Sequence, residues 1–186
     1  MDTVRKSSTV VLFSGGLDSL LAALLAERNE DGLLCLTIDY GQNKQEQRAA
    51  RELCQHYGWK QMTAKVTPFP HSTDPNGTNL IPGRNAMFLS LAAATMVNGK
   101  IYVGCNADDN RDYPDCREEF FTAYQRMLSV QGREIIIKKP LINLSKAEVV
   151  TQLRKRGAPI EKTVSCYAGR GCGQCNACKL RESALA

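Results

Sequence analysis

The stretch VVLFSGGLDS, Val10 to Ser19, constrains this chain more than any other, because an apolar run passes directly into two glycines and then into LLAALLAE. An apolar run bounded by a turn signal reads as a buried strand, and the segment after it has the composition of a helix packed on one side. Gly15 and Gly16 therefore stand where a strand hands over to a helix. The first N–H groups of a helix lack intrahelical partners and its dipole favours negative charge, so the corner suits a phosphate-like guest. Glycines let the backbone approach an anion, and Ser14 and Ser19 can add hydroxyl donors. A Walker loop is excluded, since it needs four residues between its glycines and then Lys, and no Lys follows Gly16 before Lys44. Without a ligand, the same corner is a tight turn with Asp18 or Ser19 as a capping residue.

Strand-like and helix-like stretches alternate along the chain. STVVLF is followed by a helix from about Asp18 to Arg28, and LLCLTIDY by one from about Asn43 to Tyr57, whose start NKQE fits an N-cap with Glu three residues on. WKQMTAKV reads as a third strand, NAMFLSLAAATMV as a helix, KIYVGC as a fourth strand, EEFFTAYQRMLSV as a helix and EIIIKKP as a fifth strand. SKAEVVTQLRKRG opens with Ser145 and Glu148 at capping-box spacing and closes at Gly157. This rhythm predicts an α/β fold, a doubly wound parallel sheet, in a single domain over 1–186.

In such sheets the ligand lies beyond the carboxyl ends of the strands. That gathers SGGLDS, DYGQ (Asp39 to Gln42), PGRN (Pro82 to Asn85) and GCNADDNRDYPDCR (Gly104 to Arg117) in one crevice. The last of these collects amides and carboxylates around Tyr113, on which a flat heterocycle could stack; the plainer reading is a solvated acidic loop.

Hydrophobic content of 43% and charged content of 23% are ordinary for a soluble globular protein. No apolar run approaches the roughly 18 residues of a membrane span, and MDTVRKSSTV lacks the apolar core of a signal peptide, so a cytoplasmic location is expected. A net charge of +5 suits an anionic ligand such as a nucleotide. It supports nucleic-acid binding only weakly, because the basic run Arg154 to Arg156 is short.

Of eight cysteines, Cys35, Cys54, Cys105 and Cys116 are scattered and read as small buried hydrophobes, with Cys105 or Cys116 able to line the site. The other four fall in CYAGRGCGQCNAC, as two overlapping C-x-x-C pairs behind one upstream Cys. Thiolates of Cys166, Cys172, Cys175 and Cys178 can meet one tetrahedral Zn²⁺; an iron–sulfur cluster would use the same ligand type, and disulfides are disfavoured in a cytoplasmic chain. Four filled positions leave none for water or substrate, so the zinc is read as structural, tying residues 160–186 into the fold as a small C-terminal zinc-binding segment.

SGGLDS resembles the PP-loop of the ATP pyrophosphatase superfamily, whose fold is adenine nucleotide alpha-hydrolase-like. The ordered set FSGGLDS, DYGQ, PGRN, YPDCR, PLINLSKAE and CY…CGQCNACKLR is more specific, and over nearly the whole chain resembles the 7-cyano-7-deazaguanine synthase family of the queuosine pathway. The resemblance implies conversion of 7-carboxy-7-deazaguanine and ammonia to the nitrile at the expense of ATP, through an adenylated carboxylate and an amide. It implies that Phe13, Ser14, Gly15, Gly16, Leu17, Asp18 and Ser19 hold ATP, with Mg²⁺ accompanying the phosphates. Asp18, Arg84 and Lys146 would act at the reacting centre, Asn106, Asp109, Tyr113 and Asp115 would read the deazaguanine, and the four clustered cysteines match the family's zinc ligands. A homodimer without membrane or direct nucleic-acid contacts is expected. An amide-forming relative and a PP-loop enzyme acting on tRNA are the alternatives. Three features depart from the family pattern: NKQEQR follows DYGQ in place of a basic, His-containing stretch, the segment TPFPHSTDPNGTNLI before PGRN is shorter, and the Cys166 to Cys172 spacing is tighter.

Overall fold

The computed structural model describes residues 9–66, 81–169 and 171–186; Ser8 of the first expected strand and most of TPFPHSTDPNGTNLI lie outside them. Five strands are described: β1 (Thr9–Leu12), β2 (Leu34–Asp39), β3 (Lys60–Lys65), β4 (Gly99–Tyr102) and β5 (Ile135–Lys138). They form one parallel sheet in the order β3-β2-β1-β4-β5. β1 is central, with Val10 beside Leu34 on one side and Ile101 on the other.

Seven α-helices are described: α1 (Leu17–Asn29), α2 (Lys44–Tyr57), α3 (Arg84–Ala94), α4 (Ala107–Asp112), α5 (Glu118–Val130), α6 (Lys146–Lys155) and α7 (Asn176–Leu185). Successive strand residues point to opposite faces, and β1 shows the result. Val11 packs with Leu20, Leu53 and Val149 from α1, α2 and α6, while Val10 packs with Leu89 and Phe121 from α3 and α5. The sheet is therefore doubly wound. Truncating a fully buried anchor such as Leu20 to Ala would cost about 2–5 kcal/mol through lost transfer energy and the cavity left behind. The strand order reverses between β1 and β4, and that switch point sets the crevice for a ligand.

Three details differ from the sequence reading. The polar loop after β4 contains α4 and a 3-10 turn over Pro114–Cys116, because a reciprocal capping box between Asn106 and Asp109 supplies what the apolar periodicity lacks. The residues after Cys175 form α7. At α2, Asn43 Oδ1 accepts from the Gln45 N–H at 2.8 Å as a cap should, but among the described residues Glu46 makes no return bond to Asn43. The expected box between Ser145 and Glu148 is present, and Gly157 follows α6 with φ of 61°.

Candidate active site

The corner after β1 is held open by its glycines. Gly15 has φ of 86°, and a Cβ there would lie 2.5 Å from the Ala50 nitrogen and 2.9 Å from the Glu46 carbonyl oxygen, so α2 presses on the loop at a point only glycine fits. Gly16 caps α1 without a side-chain hydrogen bond, leaving the first turn of the helix to a ligand. Ser19 braces the loop, accepting from the Gly15 N–H at 3.1 Å and donating to the Gly16 carbonyl at 3.0 Å. Ser14 donates to the Ser19 hydroxyl at 3.2 Å and accepts from the Gly16 N–H at 3.3 Å. Leu17 is buried in the core, so only its main chain can serve a guest. Phe13 packs edge-on against Trp59 with ring centroids 5.8 Å apart.

Asp18 is the centre of a polar network built from three elements. One carboxylate oxygen accepts from Asn106 Nδ2 at 2.9 Å, and the other pairs with the Lys146 ammonium. Asn106 is fully buried, and its own oxygen accepts from the Asp108 and Asp109 N–H groups at 2.9 and 3.2 Å. Asp109 Oδ2 returns the contact by accepting from the Asn106 N–H at 3.1 Å. Lys146 begins α6, and its N–H donates to Asp108 Oδ2 at 2.8 Å, locking α4 and α6 together behind Asp18. Gly104 lets β4 end against the start of α1, since a Cβ there would meet the Asp18 carbonyl carbon at 2.9 Å.

The charges are strongly coupled. Burial, reinforced by the Asp18 charge and opposed by Lys146, pushes the Asp109 carboxyl up to about 6. Burial works against the Lys146 ammonium, yet Asp18 and Asp109 outweigh it and hold the amine above its ordinary value. Arg84 behaves similarly, with Tyr40 and Asp115 outweighing its desolvation. Its Cζ lies 6.0 Å from the Phe88 ring centroid, and its buried Nε has no hydrogen-bond partner among the described residues. A buried donor without an acceptor is costly, and an anionic ligand would satisfy it.

Asp115 is placed at the start of α3, where it receives the Asn85 N–H at 3.4 Å, while Asn85 Nδ2 donates to the Asp115 carbonyl at 3.1 Å. Tyr113 ends α4 and is hydrogen-bonded to Tyr167, the residue after Cys166. A cavity of about 210 Å³ opens at the strand ends, walled by Ser14, Asp18 and Ser19 of the loop and by Tyr40, Glu46 and Gly104. The structure thus brings Asp18, Lys146, Asn106 and Asp109 into direct contact. Arg84, Asp115 and Tyr113 form a second group, Arg84 interacting electrostatically with Asp115 and Tyr167, and Tyr167 hydrogen-bonded to Tyr113. Sequence reasoning passed over Glu46 and Tyr167, because an acidic residue in a first helical turn and a tyrosine beside a metal motif each have ordinary explanations.

The sulfur atoms of Cys166, Cys172, Cys175 and Cys178 all lie within 4.8 Å of one another. Ligands about 2.3 Å from a tetrahedral Zn²⁺ would stand about 3.8 Å apart, so the set fits one ion with a small contraction. The Cys172 N–H points at Cys166 Sγ (3.3 Å) and the Cys175 N–H at Cys172 Sγ (3.4 Å), which suits thiolates. This segment rests on the glycine corner: the Val164 N–H donates to the Gly15 carbonyl at 3.1 Å, and Asn43 Nδ2 to the Cys166 carbonyl at 3.4 Å. Arg181 of α7 clamps it, donating to Thr163 Oγ1 at 2.6 Å and to the Ile160 carbonyl at 2.9 Å. No helix among the described residues is long and apolar enough to cross a membrane.

Solved structures share this architecture. NMN synthetase from Francisella tularensis superposes with a TM-score of 0.58 at 22% identity, over 91% of this chain and 70% of that one. A predicted subunit of tRNA methyltransferase from Methanocaldococcus jannaschii gives 0.58 at 18% identity, over 84% and 92%. These establish the fold. In sequence, the chain is 36% identical to 7-cyano-7-deazaguanine synthase 2 of Desulfitobacterium hafniense (strain Y51), over 95% of this chain and 88% of that protein. It is 35% identical to 7-cyano-7-deazaguanine synthase of Prochlorococcus marinus (strain MIT 9303), over 96% and 92%. The first alignment runs over 204 residues against the 186 of this chain, so the relative carries residues that are missing here. The model of the queuosine biosynthesis protein QueC matches residues 8–74 and 63–186, two stretches that overlap over 63–74, where the short segment before PGRN begins. With nearly its whole length matched, glycine corner and cysteine cluster included, the chain belongs to the QueC family of queuosine biosynthesis proteins.

Proposed function

We propose that this protein uses ATP to convert 7-carboxy-7-deazaguanine and ammonia to 7-cyano-7-deazaguanine. The observation that carries the reading is the joining of Asp18, in the glycine corner, to Lys146 across the crevice in a chain of this family. A carboxylate is a poor acyl donor until one of its oxygens becomes a leaving group. The first step is therefore attack of the substrate carboxylate on the α-phosphorus of ATP, with pyrophosphate leaving. Such a step needs positioning and charge neutralisation more than covalent help from the protein.

Residues Phe13 to Ser19 wrap the phosphates, with free amides of the first turn of α1 and the hydroxyls of Ser14 and Ser19 as donors. Lys146, held cationic by Asp18 and Asp109, neutralises charge at the α-phosphate, and Asp18 and Asn106 fix its position. Arg84 offers its unsatisfied Nε to the substrate carboxylate or the departing anion. Tyr113 would stack on the deazaguanine and Asp115 would read its edge. Asn106 and Asp109 would read the deazaguanine from the network behind Asp18. Mg²⁺ would neutralise the phosphates further. Zn²⁺ on Cys166, Cys172, Cys175 and Cys178 would hold residues 160–186 against the glycine corner and take no part in bond making. The whole of 1–186 works as one domain, as a cytoplasmic homodimer.

Isotope exchange between pyrophosphate and ATP tests the activation step. Exchange that requires 7-carboxy-7-deazaguanine and is lost in Asp18→Ala supports the assignment. Exchange without that substrate, or unaltered in the variant, contradicts it.

A further inference from the structure

We infer that Glu46 is the site of ammonium capture: its carboxylate binds the ammonium ion in the cavity beside the glycine corner and accepts a proton from it, releasing ammonia for attack on the activated substrate. The inference rests on the reaction proposed above and adds a residue and a proton path to it.

The geometry sets Glu46 apart from an ordinary helix-start acid. The cap of α2 is already supplied by Asn43, whose side chain accepts from the Gln45 N–H. Glu46 instead turns into the cavity wall that it shares with Ser14, Asp18 and Ser19. No described residue hydrogen-bonds its carboxylate. Its main-chain carbonyl packs against the loop at Gly15, so the backbone that carries Glu46 is set beside the phosphate cradle. The Arg84 guanidinium faces this carboxylate without hydrogen-bonding it, so the carboxylate oxygens keep their acceptor capacity in a cavity whose lining includes Leu36, Ile38 and Phe88, where a further cation or a proton would be favourable.

The groups facing it are Arg84 from α3, Tyr40 at the end of β2, Cys166 from the metal segment and Asp18 from α1. Burial pushes the Glu46 carboxyl up from its ordinary value, against the pull of the Arg84 guanidinium, and a carboxyl shifted upward is the better proton acceptor.

The step balances. An N–H bond of ammonium breaks and an O–H bond forms on Glu46. The freed nitrogen lone pair attacks the acyl carbon, the C–N bond forms, and the C–O bond to AMP breaks with its electron pair. The second proton lost as the amide forms leaves to solvent with the AMP phosphate, and Glu46 returns its proton to solvent.

Hydroxylamine provides the test, because it is neutral at the assay pH and needs no deprotonation before it attacks the same acyl adenylate to give a hydroxamate. Wild type, Glu46→Gln and Glu46→Asp are assayed with ammonium and with hydroxylamine, each product being read by mass spectrometry. The expected result is that Glu46→Gln lowers kcat/KM for ammonium about 100-fold relative to kcat/KM for hydroxylamine, and that Glu46→Asp recovers part of it. Because both nucleophiles are compared within each variant, a change in folded fraction cancels. Equal losses with both nucleophiles would mean that Glu46 serves the nucleotide or the fold, and would overturn the inference. If folded wild type yields no substrate-derived product with either nucleophile, the proposed reaction itself fails, and this inference with it.

Discussion

Replacing Asp109 with Asn should stabilise the protein at alkaline pH while damaging its chemistry. Asp109 is held in the folded state at about 6, against an ordinary 3.8, because burial and the Asp18 charge disfavour its ionised form. Below about pH 4 the group is protonated whether folded or unfolded, and it adds nothing. Between the two values the folded state binds a proton that the unfolded state has lost, so stability falls as pH rises. Above about pH 6 the penalty is complete. A gap of about 2 pH units at about 1.4 kcal/mol each amounts to about 3 kcal/mol. Asparagine removes this penalty and keeps an acceptor for the Asn106 N–H, losing about 0.5–1 kcal/mol of charge at the start of α4. The net expectation is a gain of about 2 kcal/mol at pH 8, shrinking to nothing or a slight loss at pH 4. Urea denaturation at the two pH values measures it. Destabilisation of equal size at both would refute the reasoning, since it would mean that the carboxylate acts as a cap alone.

Other perturbations follow from the same network. Lys146→Met leaves the Asp18 carboxylate without its cation; a partly buried pair broken this way should cost about 2–4 kcal/mol in thermal unfolding and lower substrate-dependent AMP formation by at least about 100-fold. Gly15→Ala forces a side chain into a left-handed turn and against α2, so isothermal titration should show ATP binding lost together with about 2 kcal/mol or more of stability. Cys175→Ser should reduce bound zinc, by elemental analysis, and lower the melting temperature. Because Val164 is tied to Gly15, it should also raise KM for ATP.

The strand-to-helix corner was legible because an apolar run, two glycines and an apolar helix sit together in the chain, and Ser145 with Glu148 marked α6 in the same local way. The cysteine cluster was legible from spacing alone, since two knuckles and one upstream thiol need little else to converge. α4 was not, because ADDNRD has no apolar face and owes its helix to a buried Asn106 that simultaneously caps it and holds Asp18. The contact between Asp18 and Lys146 joins residues 128 apart, and only the sheet topology decides it. Glu46 shows the opposite failure. Its sequence position matches a capping box, but Asn43 caps α2 alone and Glu46 lines the cavity instead.

The central claim is tested most directly by mass spectrometry of a reaction containing the purified, metal-loaded protein, ATP, Mg²⁺, ammonium and 7-carboxy-7-deazaguanine. The account predicts 7-cyano-7-deazaguanine together with AMP and pyrophosphate, dependent on every component. Intact substrate and ATP in the presence of folded protein, or accumulation of the amide with no nitrile, would contradict it.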